Sequence, residues 1–289
     1  MKSSFGSKIF NTSQTLNVRG RLIDLTTPKV MGILNVTPDS FYDGARYDSE
    51  LAIMTQVEKM IGEGATFIDV GGYSSRPGAD DISIEEEIIR VLKAIKLIVK
   101  KFPEVILSID TFRSQVASAA LNEGAAMIND ISGGEQDKAI VGIAATQKVP
   151  YIVMHMRGNP QTMNQFASYE NLIKDIIDSF HKKIHQLSEY GIIDIIVDPG
   201  FGFAKTAQQN FELLNALDYF KILSRPILVG LSRKSMIWRT LATTPEHALN
   251  GTSCLNTIAL LKGANILRVH DVKEAVEIVK LVHSTTIAV

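Results

Sequence analysis

The chain has 289 residues, of which 45% are hydrophobic and 21% charged, an ordinary globular composition with enough apolar material for a large core. Thirty Lys and Arg face thirty-one Asp and Glu, so the formal net charge is −1 and no general affinity for nucleic acid or anionic membrane is built in. The single cysteine, Cys254, excludes an internal disulfide and reads as a small core residue in a reducing compartment. The N-terminal MKSSFGSKIFNTSQTL lacks the apolar core of about 7–15 residues that a signal peptide needs. No run approaches the ~20 apolar residues of a membrane span. The expectation is a soluble, cytoplasmic protein.

Residues 16–27, LNVRGRLIDLTT, read as a β-hairpin turning at Arg19-Gly20, in an N-terminal extension spanning 1–27. A repeating unit follows, with an apolar β-branched run, a polar residue, a loop and a segment of helical period. The runs are VMGILNV (30–36), TFIDVG (66–71), ILSID (106–110), AMIND (126–130), YIVMH (151–155), DIIVD (194–198), ILVGL (227–231) and ILRVH (266–270). Near-continuous apolar runs suit strands covered on both faces. Ser83-x-x-Glu86 and Asp271-x-x-Glu274 open helices like capping boxes, and Ile84, Ile88, Ile95 and Val99 follow the first at helical spacing. Gly64, Gly124, Gly191 and Gly263 close helices just before the next strand. Eight such units predict one α/β domain over 1–289, a (β/α)8 TIM barrel with an N-terminal β-hairpin. A doubly wound open sheet is the alternative, but no G-x-G-x-x-G follows the first strand.

Barrels of this kind carry their chemistry at the C-terminal strand ends. Here those ends are polar: Asn35, Asp110, Asn129 with Asp130, His155, Asp198, and Arg268 with His270. Each alone reads as a turn or cap residue, whereas together they point to a polar pocket. Arg268 and His270, two apart, face one way and suit a phosphate or diphosphate; the alternative is a salt bridge to Asp271 or to a neighbouring strand's acid. Asp110 and Asp198 call for a different partner, such as a heterocycle with a guanidine-like N–C–N–H edge, and Asn129 is placed to read a further ring atom.

Two connections are long, about 37–48 and 72–82, and the second, GYSSRPGADD, carries the Arg76-Pro77-Gly78 turn. Long connections at this end read as lids. MRGNPQTM (156–163) reads as a solvated loop, and Lys205 in DPGFGFAKT (198–206) as a solvated charge. In GLSRKSM (230–236), Lys234 and Ser235 fall at a helix start, a place that favours anions, but GxxxxGK[ST] is absent.

The motifs MGILNVTPDSF-x-DG, DVGG-x-S-S-RPGA, SIDT, NDISGG, MHM-x-G-x-P-x-TM, DPGFGFAKT-x-x-x-N, LVGLSRKS and RVHDV stand in that order. From about residue 28 to the end, the chain resembles the dihydropteroate synthase family of pterin-binding barrels. The resemblance implies a cytoplasmic homodimer of folate biosynthesis, and a target of sulfonamides. Its members join 6-hydroxymethyl-7,8-dihydropterin diphosphate to p-aminobenzoate, releasing diphosphate, with Mg²⁺. It assigns the pterin to Asp110, Asn129, Asp198 and Lys234. It assigns the diphosphate to Asn35, Ser75, Arg268 and His270, with Asn35 also a Mg²⁺ ligand. Phe203 and Ser235 match p-aminobenzoate contacts, and Asp39, Phe41, Arg76 and Pro77 match the working parts of loops that close over that substrate. Asp110, Lys234, Arg268 and Asn35 are the catalytic set it implies. Tyr73-Ser74-Ser75 stands where many members have Glu-Ser-Thr, and Tyr42 where many have Ser. These departures bear on loop packing and drug response. Two other functions share parts of this pattern. A methyltetrahydrofolate methyltransferase would keep the carboxylates but has no use for a diphosphate site, and a non-catalytic pterin binder would need neither lids nor Arg268, His270 and Lys234.

Overall fold

The computed structural model describes residues 15–37, 46–74, 81–159 and 161–287. Strands β1 (Thr15–Val18) and β2 (Arg21–Asp24) pair antiparallel. Arg19 and Gly20 turn between them with φ of 51° and 85°. Two consecutive left-handed residues give the turn whose twist suits a tight hairpin. The Asn17 side chain fastens it by accepting the Gly20 N–H at 2.8 Å.

Eight parallel strands follow, one for each apolar run. They are β3 (Lys29–Asn35), β4 (Phe67–Gly71), β5 (Ile106–Asp110), β6 (Met127–Asp130), β7 (Tyr151–Met154), β8 (Ile195–Asp198), β9 (Leu228–Val229) and β10 (Ile266–Val269). The order is β8-β7-β6-β5-β4-β3-β10-β9. The ends of that series meet through one parallel bridge, Val197 to Ile227, where the Val197 N–H donates to the Pro226 carbonyl at 2.9 Å. The sheet thereby closes into a barrel. The helices are α1 (Arg46–Gly62), α2 (Ile84–Lys101), α3 (Ser114–Asn122), α4 (Ala139–Gln147), α5 (Leu172–Glu189), α6 (Ala207–Asn215), α7 (Ser235–Thr240), α8 (Leu249–Leu261) and α9 (Val272–Ile287). Among the described residues no helix is long and apolar enough to cross a membrane.

The helix punctuation follows the sequence closely. Gly64, Gly124, Gly191 and Gly263 all have positive φ, as glycines just past a helix end should. Ser83 caps α2 by accepting the Glu86 N–H at 3.1 Å, but the Glu86 carboxylate takes Arg90 at 2.8 Å. At α9 the expected box gives way to tertiary pairing, because Asp271 accepts both Nε and Nη2 of Arg233, at 3.1 and 2.6 Å. Helix α2 buries Glu87, Val91, Ala94, Ile95 and Ile98. Of the four residues read as its apolar stripe, Ile95 lies at the centre, while Ile84, Ile88 and Val99 are only partly buried. Cys254 is exposed on α8, against the expectation of a core residue. It shares an outward stripe with Ile258 and Leu261, spaced four and three residues apart.

Alternation along the strands sorts the barrel into two cores. Val30, Leu34, Ile68, Val70, Leu107, Ile109, Ile128, Val153, Val197, Val229, Leu267 and Val269 face the helices. Met31, Phe67, Ile106, Met127, Ile152, Ile196, Leu228 and Ile266 come one from each strand and form a second cluster inside the barrel. Leu16, Val18, Ile23 and Leu25 belong to that inner cluster, so the hairpin plugs the N-terminal end. Two residues further along each strand, the inward positions are Ile33, Asp69, Ser108, Asn129, Met154, Asp198, Gly230 and Arg268. The interior therefore turns from wholly apolar to largely polar within one step of the pleat. That step fixes where the site lies.

Candidate active site

Asn35, Gly71, Asp110 and Asn129 lie side by side in register across four strands. Gly71 keeps this row open: a Cβ there would sit 3.7 Å from Asn35 Oδ1 and 3.6 Å from Asp110 Oδ2. The Asn35 amide oxygen and the Asp110 carboxylate thus flank the same small space.

Arg268 organises the layer beneath. Its Nε donates to Asp69 Oδ2 at 2.6 Å and its Nη2 to Asp110 Oδ2 at 2.5 Å. Asn129 Nδ2 donates to the same Asp69 oxygen at 2.8 Å. The Asp69 side chain is 0% exposed, against 19% for Asp110 and 20% for Arg268. Asp69 Oδ1 is buried and has no hydrogen-bond partner among the described residues. Burial opposes the charge on Arg268, but the two carboxylates hold its pKa above the ordinary arginine range. For Asp110, burial prevails over the attraction of Arg268 and pushes it up to about 7, with Asp69, Glu87 and Asp130 adding repulsion. Arg268 is thus ion-paired, but with acids of β4 and β5, which do not flank β10, rather than with Asp271 or an acid of a neighbouring strand.

Asp69 is the residue that the sequence reading passed over. It lies inside the run TFIDVG rather than at its end. The signal was parity: it stands two residues after the inward Phe67 and two before Gly71. Asp130, by contrast, is structural. It accepts the Ser132 and Gly134 N–H groups at 2.7 Å each and the Tyr151 hydroxyl at 2.5 Å, shaping the NDISGG turn.

The loop after β8 forms a second wall. Asp198 accepts the Gly200 N–H at 2.8 Å and is raised by burial. Gly200 has φ 74°, and a Cβ there would come 2.1 Å from the His155 carbonyl oxygen, so the loop needs glycine at this point. Lys205 is no solvated charge. Its ammonium donates to the Gly200 and Phe203 carbonyls at 2.9 and 3.0 Å and lies 3.2 Å from His155 Nδ1. Burial brings Lys205 down to about 7; burial and the adjoining Lys205 charge bring His155 down to about 2. His155 is therefore a neutral acceptor, part of the loop's anchor. Phe203 is half-buried, and Lys234 Nζ stands 4.4 Å from its ring centroid, a cation–π distance. Lys234 is the N-cap residue of α7 and Ser235 its first residue, as the sequence predicted. His270 follows β10 and is half-buried, with its N–H on the Ser232 hydroxyl at 3.2 Å.

The loop after β7 is packed rather than solvated. Arg157 covers Tyr169 at 3.9 Å, Asn159 accepts the Gln161 and Thr162 N–H groups at 3.1 and 2.9 Å, and Met156 and Met163 are buried with Ile131, Met154 and Ala204. Phe112 and Phe203 pack against that cluster, which gives the pocket an apolar side. Tyr73 ties three loops together here. Its ring meets Phe112 edge-on at 5.2 Å, its hydroxyl accepts from Gln161 at 3.0 Å, and Arg113 stands 5.1 Å from its ring. Arg113 is in turn held by Asp81 and by buried Glu87, at 3.0 Å each. Asp39, Phe41, Tyr42, Ser75, Arg76 and Pro77 lie outside the described residues.

Taken together, the described strand ends place carboxylates, amides and cations around one opening with an apolar flank. Residues 31–270 match the family model described as "Pterin binding enzyme". The chain belongs to the dihydropteroate synthase family. The dihydropteroate synthase of Escherichia coli K12 is 42% identical over 272 residues, which cover 93% of this chain and 96% of that one. That of Synechocystis is 44% identical over 255 residues, 87% and 88% of the two chains. The Yersinia pestis enzyme solved with a sulfonamide drug has a TM-score of 0.88 at 39% identity, covering 94% of this chain and 99% of that one. The Xanthomonas albilineans enzyme solved with 4-aminobenzoic acid has a TM-score of 0.88 at 35% identity, over 95% and 99%. This membership makes the chain an enzyme, and the fold is the α/β barrel that these enzymes share.

Removing the Lys205 ammonium would take the donor from the Phe203 carbonyl and leave the Gly200 carbonyl with the Phe203 N–H alone. Lys205→Met is expected to lower the free energy of unfolding by about 1–3 kcal/mol, as for an orphaned buried polar group. Urea denaturation checks this, and an unchanged midpoint would count against the anchor.

Proposed function

We propose that the chain condenses 6-hydroxymethyl-7,8-dihydropterin diphosphate with p-aminobenzoate, yielding 7,8-dihydropteroate and diphosphate. The observation that carries this reading is the joint presence of the Asp110–Asn129 carboxylate and amide on adjoining strands and the Arg268 guanidinium that reaches Asp110 from β10. A pterin presents a guanidine-like edge that suits a carboxylate in two parallel bonds. Relatives solved with 4-aminobenzoic acid and with 7,8-dihydropteroate support the same choice of substrates.

In this reading Asp110, Asn129, Asp198 and Lys234 hold the pterin. Asn35, Ser75, Arg268 and His270 receive the diphosphate. Phe203 and Ser235 meet p-aminobenzoate, and Asp39, Phe41, Arg76 and Pro77 complete that subsite. Mg²⁺ suits the donor set. Among the described residues no group of three or more His, Cys, Asp or Glu gathers to hold a metal, while the Asn35 amide oxygen faces the space beside Asp110. A hard cation there would take the Asn35 oxygen as its protein ligand and draw the rest from phosphate and water, as Mg²⁺ commonly does. When bound, it would neutralise charge on the leaving diphosphate.

The order of events we propose is dissociative. The bond from the pterin methylene to the diphosphate oxygen breaks, and its electron pair leaves with the diphosphate. Arg268 and His270 stabilise the departing charge. The cation left at the methylene spreads into the ring, where the Asp110 carboxylate stabilises it. The aniline nitrogen of p-aminobenzoate then attacks and releases its proton to solvent. The assembly in this reading is a cytoplasmic homodimer, supported by the apolar stripe of Ile258 and Leu261, which the monomer leaves exposed on α8.

The decisive assay supplies the pterin diphosphate, p-aminobenzoate and Mg²⁺ and measures dihydropteroate and diphosphate together. Equal amounts of both are expected. Pterin binding without turnover would favour a binding protein, and methyl transfer from methyltetrahydrofolate would favour a methyltransferase. Asp110→Asn should lower kcat by about 10²–10³ while diphosphate affinity changes far less. Equal loss of both would remove Asp110 from its assigned role.

A further inference from the structure

Nε and Nη2 of an arginine lie on one edge of the guanidinium, the edge that grips a carboxylate side-on with two parallel bonds. In this barrel that edge is split between two acids. Nε goes to Asp69 Oδ2 and Nη2 to Asp110 Oδ2, while Asp69 Oδ1 is buried and has no partner among the described residues. The two acids differ in access. Asp69 is sealed and also tied to Asn129, whereas Asp110 is partly exposed at the strand end. A ligand with its own guanidine-like edge therefore competes with Arg268 for Asp110 and not for Asp69.

We propose that Asp69 is a positioning residue that carries Arg268 through this exchange. Its Oδ2 keeps the Nε bond, and its free Oδ1 receives Nη2 when a pterin takes Asp110. The split grip becomes a two-bond grip on Asp69 alone. Nη1 and the outer face of the guanidinium are then turned from Asp110 to the phosphate side of the site. Arg268 keeps two carboxylate bonds before and after the exchange, so a buried arginine changes partner without a stranded charge. The consequence is positive coupling: the pterin ring prepares the diphosphate subsite. This inference rests on the reading of Asp110 as the pterin's partner.

The test measures binding of inorganic diphosphate by calorimetry, at fixed Mg²⁺, with and without saturating 6-hydroxymethylpterin. In the full-length wild type, the pterin should tighten diphosphate binding at least about five-fold. In Asp69→Asn, which keeps one acceptor oxygen but not two, that factor should fall to near one while the pterin still binds. A merely structural role for Asp69 would lower the melting temperature and weaken both ligands without removing their coupling. Unchanged coupling in the variant, or none in the wild type, overturns the inference and leaves the assigned reaction standing. Failure of the wild type to bind pterin overturns both. Should the variant not fold, the Arg268 Nε–H resonance of the wild type decides. It should stay protected from exchange when the pterin is bound, and its loss would show that Asp69 lets go.

Discussion

A guanidinium inside a barrel is tolerated only where carboxylates meet it, and Arg268 has two. Burial raises the pKa of Asp110 most, and because one charge faces two acids the excess of negative charge in this buried space adds to that rise. Asn129 is turned towards Asp69, and Asp110 is held at the rim beside Asn35. The polar layer thus depends on a single ion-paired arginine at its centre.

That layer is possible because the layer below it is dry. One apolar side chain from each strand, with four from the hairpin, fills the N-terminal half of the barrel. The hairpin is therefore more than a decoration before the fold. It closes the end through which water would otherwise reach Asp69 and Arg268. On the outside, the same strands present Val, Ile and Leu to the helices, so one alternating pattern builds the outer core, the plug and the site. The wall after β8 is fixed independently, by Lys205 spanning its own loop and His155.

The barrel was legible in the sequence because its signals are local. Apolar runs, glycine helix ends and the Arg19-Gly20 turn each declare themselves within a few residues. The strand-end residues were legible for the same reason. What was missed depends on distant partners. Asp69 sits within an apolar run, and its meaning appears only when Arg268, 199 positions later, is brought against it. Lys205 looked solvated because its acceptors are two backbone carbonyls of its own loop and a histidine 50 residues away. Cys254 was placed by the habits of its residue type, whereas helix phase on α8 turns it outward. The Asp271 box failed because Arg233 offers that carboxylate a two-bond partner.

The account stands or falls on the charge balance around Arg268. A ¹³C NMR titration of the aspartate carboxyls in the ligand-free protein, with Asp110 assigned by its Asn variant, measures it directly. Since burial and the neighbouring acids disfavour the anion, Asp110 should take up its proton near pH 7, well above the ordinary carboxylate value of about 3.9. An Asp110 that remains ionised down to that ordinary value would mean that Arg268 offsets both its burial and the repulsion of the neighbouring acids, and would contradict this charge balance.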